Sequence, residues 1–355
     1  MLTTNKNVNL VIKQARILKV KNIIISSKQH YLKAKNSKNK NIKIYNNLNN
    51  LNKIIKKKLD YCMCSITGLA GLKPTMNAIK LTKKIAIANK ESIICAWNLI
   101  KKELIKHKTI FIPVDSEHFS IWSLIKNSTD EKIEEIIITA SGGPFLKLPI
   151  TQFKNISPKK AMNHPRWSMG EKISVDSATL MNKVFEVIEA KKIFNLDINK
   201  FKIVIHPKSY VHAIVHFKNG LVKFLAHDTD MSVPIMNSLY INKLFNYKDK
   251  NLKLSLLNNL NFSNPDIKKF PVIKILNKLP NKTSYFETIL ITINDYLVEK
   301  YLNREINYRS LNVSLIKLIK TPYFTRYYKL RPKNIIDIKI MVKRVINYLN
   351  KIKLN

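Results

Sequence analysis

Asp115 and Glu117 stand two positions apart in PVDSEH (113–118), directly after the apolar run TIFI (109–112). If that run is a buried strand, residues i and i+2 share a face, and both carboxylates point into whatever lies beyond its C-terminal end. Paired carboxylates with open positions beside them suit a hard divalent cation, which takes oxygen ligands and keeps sites for substrate oxygens. For a lone D-x-E, an exposed loop is the plainer account. A second polar strand end is ANKES (88–92), where Asn89, Lys90 and Glu91 follow the apolar KIAIA (84–88). Further on, EEIIITASGGPF (134–145) runs a strand into Ser141, Gly142 and Gly143, a turn whose glycines let backbone amides approach an anion.

The densest polar cluster is HPRWSMGEKISVDSATLMNKVFEVIEAKKIF (164–194). Ser177 is placed to cap the following helical run, and Asn182 and Lys183 on its first turns would make a phosphate site at a helix N-terminus. Glu186 and Glu189, three apart, share one face of that helix. Each residue has a plainer role open to it: Ser177 as a cap only, Lys183 as a solvated charge, Glu186 as the partner of a nearby lysine. His206, Ser209 and His212 follow in VIHPKSYVHAIVHF (204–217), which reads as strand, where a histidine is more often structural than catalytic.

The elements that must hold these groups show in the periodicity. NIIISS (22–27), IKIYNN (42–47), YCMCSI (61–66), KIAIA and TIFIPV (109–114) are strand candidates, mostly separated by helix-period segments. Such alternation implies a parallel, doubly wound sheet, whose ligands bind outside the carboxyl ends of the strands. A polar, Asn-rich stretch at 241–267 reads as a linker, and helical patterns over 284–302, 307–319 and 333–352 form a C-terminal helical bundle.

At 355 residues and 45% hydrophobic composition the chain is long enough for two or three domains and offers no apolar run that would span a membrane. Its net charge of +40 comes from lysines spread throughout and mixed with Asn and Ile, without a nucleic-acid-binding module, so no specific nucleic-acid partner is expected. Cys62, Cys64 and Cys95 are too few for a disulfide framework, which points to a reducing, cytoplasmic compartment. No acid precedes Asp60, but the segment alternates strand and helix and reads as folded protein rather than a transit peptide.

GLAGLKPT (68–75), IAIANKES (85–92), PVDSEH, ASGGPF (140–145), HPRWSMG (164–170), KISVDSATLMNK (172–183) and IHPKSYVH (205–212), in this order and spacing, resemble the 1-deoxy-D-xylulose 5-phosphate reductoisomerases. The resemblance implies an NADPH-dependent oxidoreductase of non-mevalonate isoprenoid biosynthesis, a homodimer that uses Mg2+ or Mn2+, with Co2+ as a further option. It isomerises deoxyxylulose phosphate and reduces the product to 2-C-methyl-D-erythritol 4-phosphate. By the same resemblance Asp115, Glu117 and Glu186 hold the metal. Lys90, Ser116, Glu117, Ser141, His164, Ser177, Asn182, Lys183 and Glu186 contact the sugar phosphate, with Lys90 and the three acids catalytic. Asn5, Lys6, Asn7, Asn89, Glu91 and Gly170 match cofactor contacts. Trp167 and Met169 lie in the matching flap, and His212 matches a supporting histidine. The implied fold is α/β: an NADPH-binding domain over 1–114, a catalytic, metal and dimerisation domain over 115–240, a linker over 241–267, and helices over 268–355.

Two departures accompany the resemblance. The family opens with a strand and a G-x-T-G-S-x-G turn for the cofactor pyrophosphate, whereas none of the 6 glycines precedes Gly68. The expected Rossmann-like sheet is therefore incomplete, lacking about one βαβ opening. The helix FETILITIND (286–295) also carries apolar residues at positions that are polar in the family, which leaves its packing against the site open. The alternative to a working enzyme is a non-catalytic relic that retains metal and sugar-phosphate binding.

Overall fold

The structure is a computed structural model and describes residues 1–36, 41–48, 51–126, 132–241, 245, 247 and 254–352. The chain opens β1 (Leu2–Thr4), α1 (Val8–Ile17), β2 (Asn22–Ile25), α2 (Lys28–Lys35), β3 (Lys43–Tyr45), with the strands parallel in the order β1-β2-β3. Ile23 and Ile25 bury completely against Val11, Ala15 and Ala34 of the two helices, a small core separate from the rest. A short helix α3 (Leu51–Ile54) leads to β4 (Leu59–Cys64), α4 (Leu72–Ile79), β5 (Thr82–Ile87), α5 (Lys90–His107) and β6 (Ile110–Ile112), again parallel, in the order β4-β5-β6.

The doubly wound sheet thus comes as two three-stranded pieces. Among the described residues β1 and β4 each hydrogen-bond to a strand on one side only. Cys62 and Cys64 lie half-buried on β4, packed against the main core, and all three cysteines are free thiols.

The next region holds α6 (Ser116–Ile125), β7 (Ile133–Ala140), α7 (Pro158–Met162), α8 (Glu171–Ala178), α9 (Met181–Phe194), β8 (Phe201–Ile205), β9 (Val211–Phe217), β10 (Val222–Ala226) and α10 (Ser232–Leu239). Its sheet is mixed, ordered β10-β9-β7-β8, with β7 and β8 parallel and β9 antiparallel to both neighbours. The single strand read over 204–217 is in fact two. The His206 carbonyl accepts the Ser209 N–H at 2.9 Å, closing a turn around Pro207, and the chain crosses the end of β7 before pairing on its other side. Pro207 has no N–H for a ladder and its fixed φ suits the second position of such a turn.

The expected bundle is present as α12 (Phe286–Leu302), α13 (Tyr308–Leu318) and α15 (Ile335–Leu349), preceded by α11 (Leu254–Leu257) and interrupted by α14 (Pro322–Thr325). Within 241–267, residues 242–244, 246 and 248–253 lie outside the described residues, while Ser263 bridges to Ile205 through two backbone hydrogen bonds of 2.7 and 3.0 Å. The question over α12 resolves in favour of packing. Its Ile289, Leu290, Ile291, Ile293 and Leu297 are fully buried in one core with α4, α5, α8 and α9. Each such side chain contributes about 1.5–3 kcal/mol by leaving water. Two polar residues of α12 are tied down: Asn294 Nδ2 donates to Asp176 Oδ1 at 2.7 Å, and Lys192 pairs with Glu287 at 2.6 Å.

Candidate active site

Asp115 and Glu117 do not share a strand face. The strand stops at Ile112, before Pro113, and Asp115 is the N-cap of α6, its side chain accepting the Glu117 N–H at 3.3 Å. The two acids converge because one caps the helix and the other stands in its first turn, where unpaired amides and the helix dipole favour negative charge. Glu186 reaches them from α9, and one carboxylate oxygen from each of Asp115, Glu117 and Glu186 lies within 4.8 Å of the others.

Lysines neutralise this trio. Lys90, on the first turn of α5, places Nζ 3.6 Å from Asp115, 3.4 Å from Glu186 and 2.6 Å from Asn182 Oδ1. Lys183 pairs with Glu117 and stands 2.5 Å from Glu186 Oε2. Burial works against the charge on both lysines, but the surrounding carboxylates outweigh it and hold both ammoniums above their ordinary range. Burial also opposes ionisation of Glu117, yet Lys183 and the Ser116 hydroxyl, 2.5 Å away, hold its carboxyl far down. Burial and the Glu117 charge instead push Glu186 up to about 7. Three carboxylates that converge on one point offer hard oxygen ligands and fit a divalent cation.

Sequence reasoning missed His118, although it stands beside Glu117 at i+3 from Asp115. Its Nε2 donates to the Glu186 carbonyl at 2.8 Å, which leaves Nδ1 facing Asp115 at 3.5 Å and Glu189 at 3.6 Å. The ring braces the backbone that carries Glu186 against the helix that carries the other two acids.

At the end of β7, Ser141 and the glycines after it turn under α8. A Cβ on Gly143 would meet the Ala178 Cα at 3.0 Å, so glycine permits the close approach. His164 Nδ1 accepts the N–H groups of Arg166 and Trp167 at 3.2 and 3.0 Å, which puts its proton on Nε2, facing Ser141 Oγ at 3.1 Å. Burial, with Lys183, lowers its pKa to about 4, so the ring is neutral at pH 7. Ser141 Oγ also accepts the Gly143 N–H at 3.1 Å, leaving its own proton free for a ligand.

Ser177 is not a helix cap. It lies in the last turn of α8, and α9 begins after Leu180, whose left-handed backbone (φ 62°) makes the sharp corner between the two helices. Asn182 and Lys183 do occupy the first turn of α9. His212 is buried and stacked on His227 with ring centres 3.8 Å apart, and burial, then the second ring, lowers its pKa to about 4.

Lys90, Asp115, Ser116, Glu117, Ser141, His164, Ser177, Asn182, Lys183, Glu186 and His212 all line one cavity of about 260 Å3, as do Trp167 and Met169. The structure therefore brings the whole expected metal and substrate set together. The expected cofactor residues are more scattered. Asn89 lines the cavity and caps α5, accepting the Ser92 N–H at 2.6 Å. Glu91 holds Lys172 at 3.1 Å, Gly170 caps α8 with open space around it, and Asn5 accepts from Ser26 at 3.1 Å. Lys6 and Asn7 line a separate cleft of about 780 Å3 with Lys13, Arg16 and Lys33.

A family model described as 1-deoxy-D-xylulose 5-phosphate reductoisomerase matches residues 1–97. Models of C-terminal domains of the same enzyme match 111–194 and 227–345. The reductoisomerase of Pelagibacter ubique is 54% identical over 342 residues, 96% of this chain and 88% of the relative. The chain belongs to the 1-deoxy-D-xylulose 5-phosphate reductoisomerase family. The Sulfurihydrogenibium reductoisomerase is 36% identical over 302 residues, 84% of this chain and 80% of that one. Among solved structures, the Zymomonas mobilis reductoisomerase in complex with NADPH superimposes with a TM-score of 0.87 at 28% identity, over 97% of this chain and 89% of that one. A reductoisomerase in complex with NADPH, fosmidomycin and magnesium gives 0.88 at 30% identity, over 98% and 90%.

Proposed function

We propose that this chain isomerises 1-deoxy-D-xylulose 5-phosphate and reduces the product to 2-C-methyl-D-erythritol 4-phosphate, with NADPH and a divalent cation. The observation that carries this reading is the shared cavity, in which three converging carboxylates line the same space as Ser141, Ser177, Asn182 and Lys183. Asp115, Glu117 and Glu186 would hold Mg2+ or Mn2+, which supplies Lewis-acid polarisation of the substrate's oxygens when bound. Lys183, Asn182, Ser177 and Ser141 would bind the phosphate, Lys183 as the charge and the others as neutral donors. Neutral His164 keeps the Ser141 proton aimed at the ligand. Lys90 and Ser116, between the acids and the phosphate set, would orient the sugar backbone.

Trp167 and Met169 would exclude water when the substrate is in place. NADPH supplies the hydride; the cationic cleft at Lys6 and Asn7 suits its phosphates, and Asn89, Glu91 and Gly170 would stand nearer its nicotinamide end. The relatives and solved structures that this chain matches are reductoisomerases, which gives the alternative of a relic no support. Spectrophotometric assay of sugar-phosphate-dependent NADPH oxidation with Mn2+ tests the reading: turnover abolished by EDTA is expected, and no oxidation by the folded, Mn2+-loaded protein would overturn it.

The domain reading follows the same roles, with 1–114 binding NADPH, 115–240 catalytic, 241–267 linking and 268–355 helical, and we place the enzyme in the cytoplasm. No helix among the described residues is long and apolar enough to cross a membrane. We also propose a homodimer. β10 is a sheet edge whose Val222 and Phe224 share one face and stay 59% and 48% exposed, beside exposed Leu221. An apolar edge of this kind is covered readily by a second copy through a two-fold axis. Light scattering after gel filtration is expected to give a dimer for the native chain and a monomer for Phe224→Glu; a monomeric native chain would remove this surface from consideration.

A further inference from the structure

Ser209 carries two local costs for which the protein alone shows no return. Its backbone is left-handed, with φ 52°, a region glycine enters freely and serine does not. Its side chain is 7% exposed, and its hydroxyl is buried without a hydrogen-bond partner. Seven non-glycine residues have positive φ among the described residues. Five of them, Lys19, Lys108, Asn195, Asn259 and Arg304, are exposed. Leu180 is buried but apolar and packs into a core, so Ser209 is the one buried polar residue of the set.

Its position explains what the hydroxyl could meet. His206 N–H donates to the Ala140 carbonyl at 2.7 Å, which pins the turn holding Ser209 over the end of β7, where Ser141 begins. Ser209 lines the same cavity as Ser141, Lys183 and His212. Backbone strain and an unpaired buried donor in one residue, at the wall of a ligand cavity, point to a partner that arrives with the ligand.

We infer that Ser209 is a substrate-binding residue whose hydroxyl donates to an oxygen of the bound sugar phosphate. This rests on the reading that the cavity takes a sugar phosphate, and it gives a role to a residue to which the resemblance assigned none. It also explains why serine stands where glycine would cost less.

The test separates strain from contact. Ser209→Gly removes the hydroxyl and relieves the backbone, while Ser209→Ala removes the hydroxyl and keeps the strain. Calorimetric binding of deoxyxylulose phosphate to the Mn2+-loaded protein needs no turnover. Both variants are expected to bind it about tenfold or more weakly, as loss of a donor to a charged or hydroxyl oxygen implies. Ser209→Gly should also melt at or above the temperature of the native chain, and both variants should keep native Mn2+ affinity. Sugar-phosphate affinity within twofold of native in both variants would overturn the inference, and so would a Ser209→Gly chain that melts lower and loses Mn2+ binding together with substrate binding. A native chain that binds the sugar phosphate without reducing it would instead count against the proposed reaction and leave Ser209 where it is placed.

Discussion

Glu186→Gln is expected to weaken Mn2+ binding at least tenfold and to lower turnover by more than about 100-fold, since changes even to residues behind metal ligands cost 10- to 100-fold. The substitution keeps the shape of the side chain and an oxygen that can still accept from Asn182, so it isolates the charge. Its effect on the metal-free fold should run the other way. Burial and the neighbouring Glu117 charge raise the Glu186 pKa to about 7, above the ordinary glutamate value of about 4.3 in an unfolded chain. A raised folded value means that this group's share of stability is present below pH 4 and is lost as pH rises through 7. Glutamine cannot ionise, so the EDTA-treated variant should lose less thermal stability between pH 5 and pH 8 than the native chain does. Calorimetry with Mn2+ checks the first effect and melting curves at the two pH values check the second. Unchanged Mn2+ affinity would take Glu186 out of the metal site.

What the sequence exposed and what it hid divide along a physical line. The candidate groups at Asp115, Glu117, Ser177, Asn182 and Lys183 stood out because charged and hydroxyl residues concentrate in short runs at element ends, as in PVDSEH and SVDSATLMNK, whereas Glu186 as a third metal ligand was implied by the resemblance alone. The periodicity of the C-terminal helices was legible for the same local reason, and the ends of α12, α13 and α15 fall within three residues of those expected. Backbone events that depend on a single residue were hidden. Nothing in the residue type of Leu180 announces a left-handed corner, so Ser177 read as a cap when it closes the preceding helix. Pro113 shortens a strand and makes Asp115 a cap instead of a strand-face ligand, yet the acids converge by either route.

Contacts distant in sequence were hidden altogether. The pairing of Asn294 with Asp176 and of His118 with the Glu186 backbone joins segments 118 and 68 residues apart, which no spacing rule reaches. The apolar face of FETILITIND read as a departure from a polar pattern, whereas the fold uses it as the centre of the largest core.

Lys183→Ala should separate the two halves of the site. In the structure the Lys183 ammonium lies between Glu117 and Glu186, where it supplies the positive charge that a divalent cation would otherwise bring. To hold a phosphate, Lys183 has to leave these carboxylates and turn toward Ser141, Ser177 and Asn182, which share the cavity with it. Two opposite effects follow from one substitution. Loss of a charge-assisted bond to a buried dianion costs about 1.5–3 kcal/mol, so the Michaelis constant for the sugar phosphate should rise roughly 10- to 150-fold. Mn2+ affinity measured without substrate should stay the same or increase, because a competing cation has been removed from between two of the three ligands. Deoxyxylulose without its phosphate should bind the variant and the native chain about equally. If the variant still prefers the phosphorylated sugar as strongly as the native chain does, the phosphate sits elsewhere. If Mn2+ affinity falls along with substrate affinity, Lys183 organises the acids and does not compete for them.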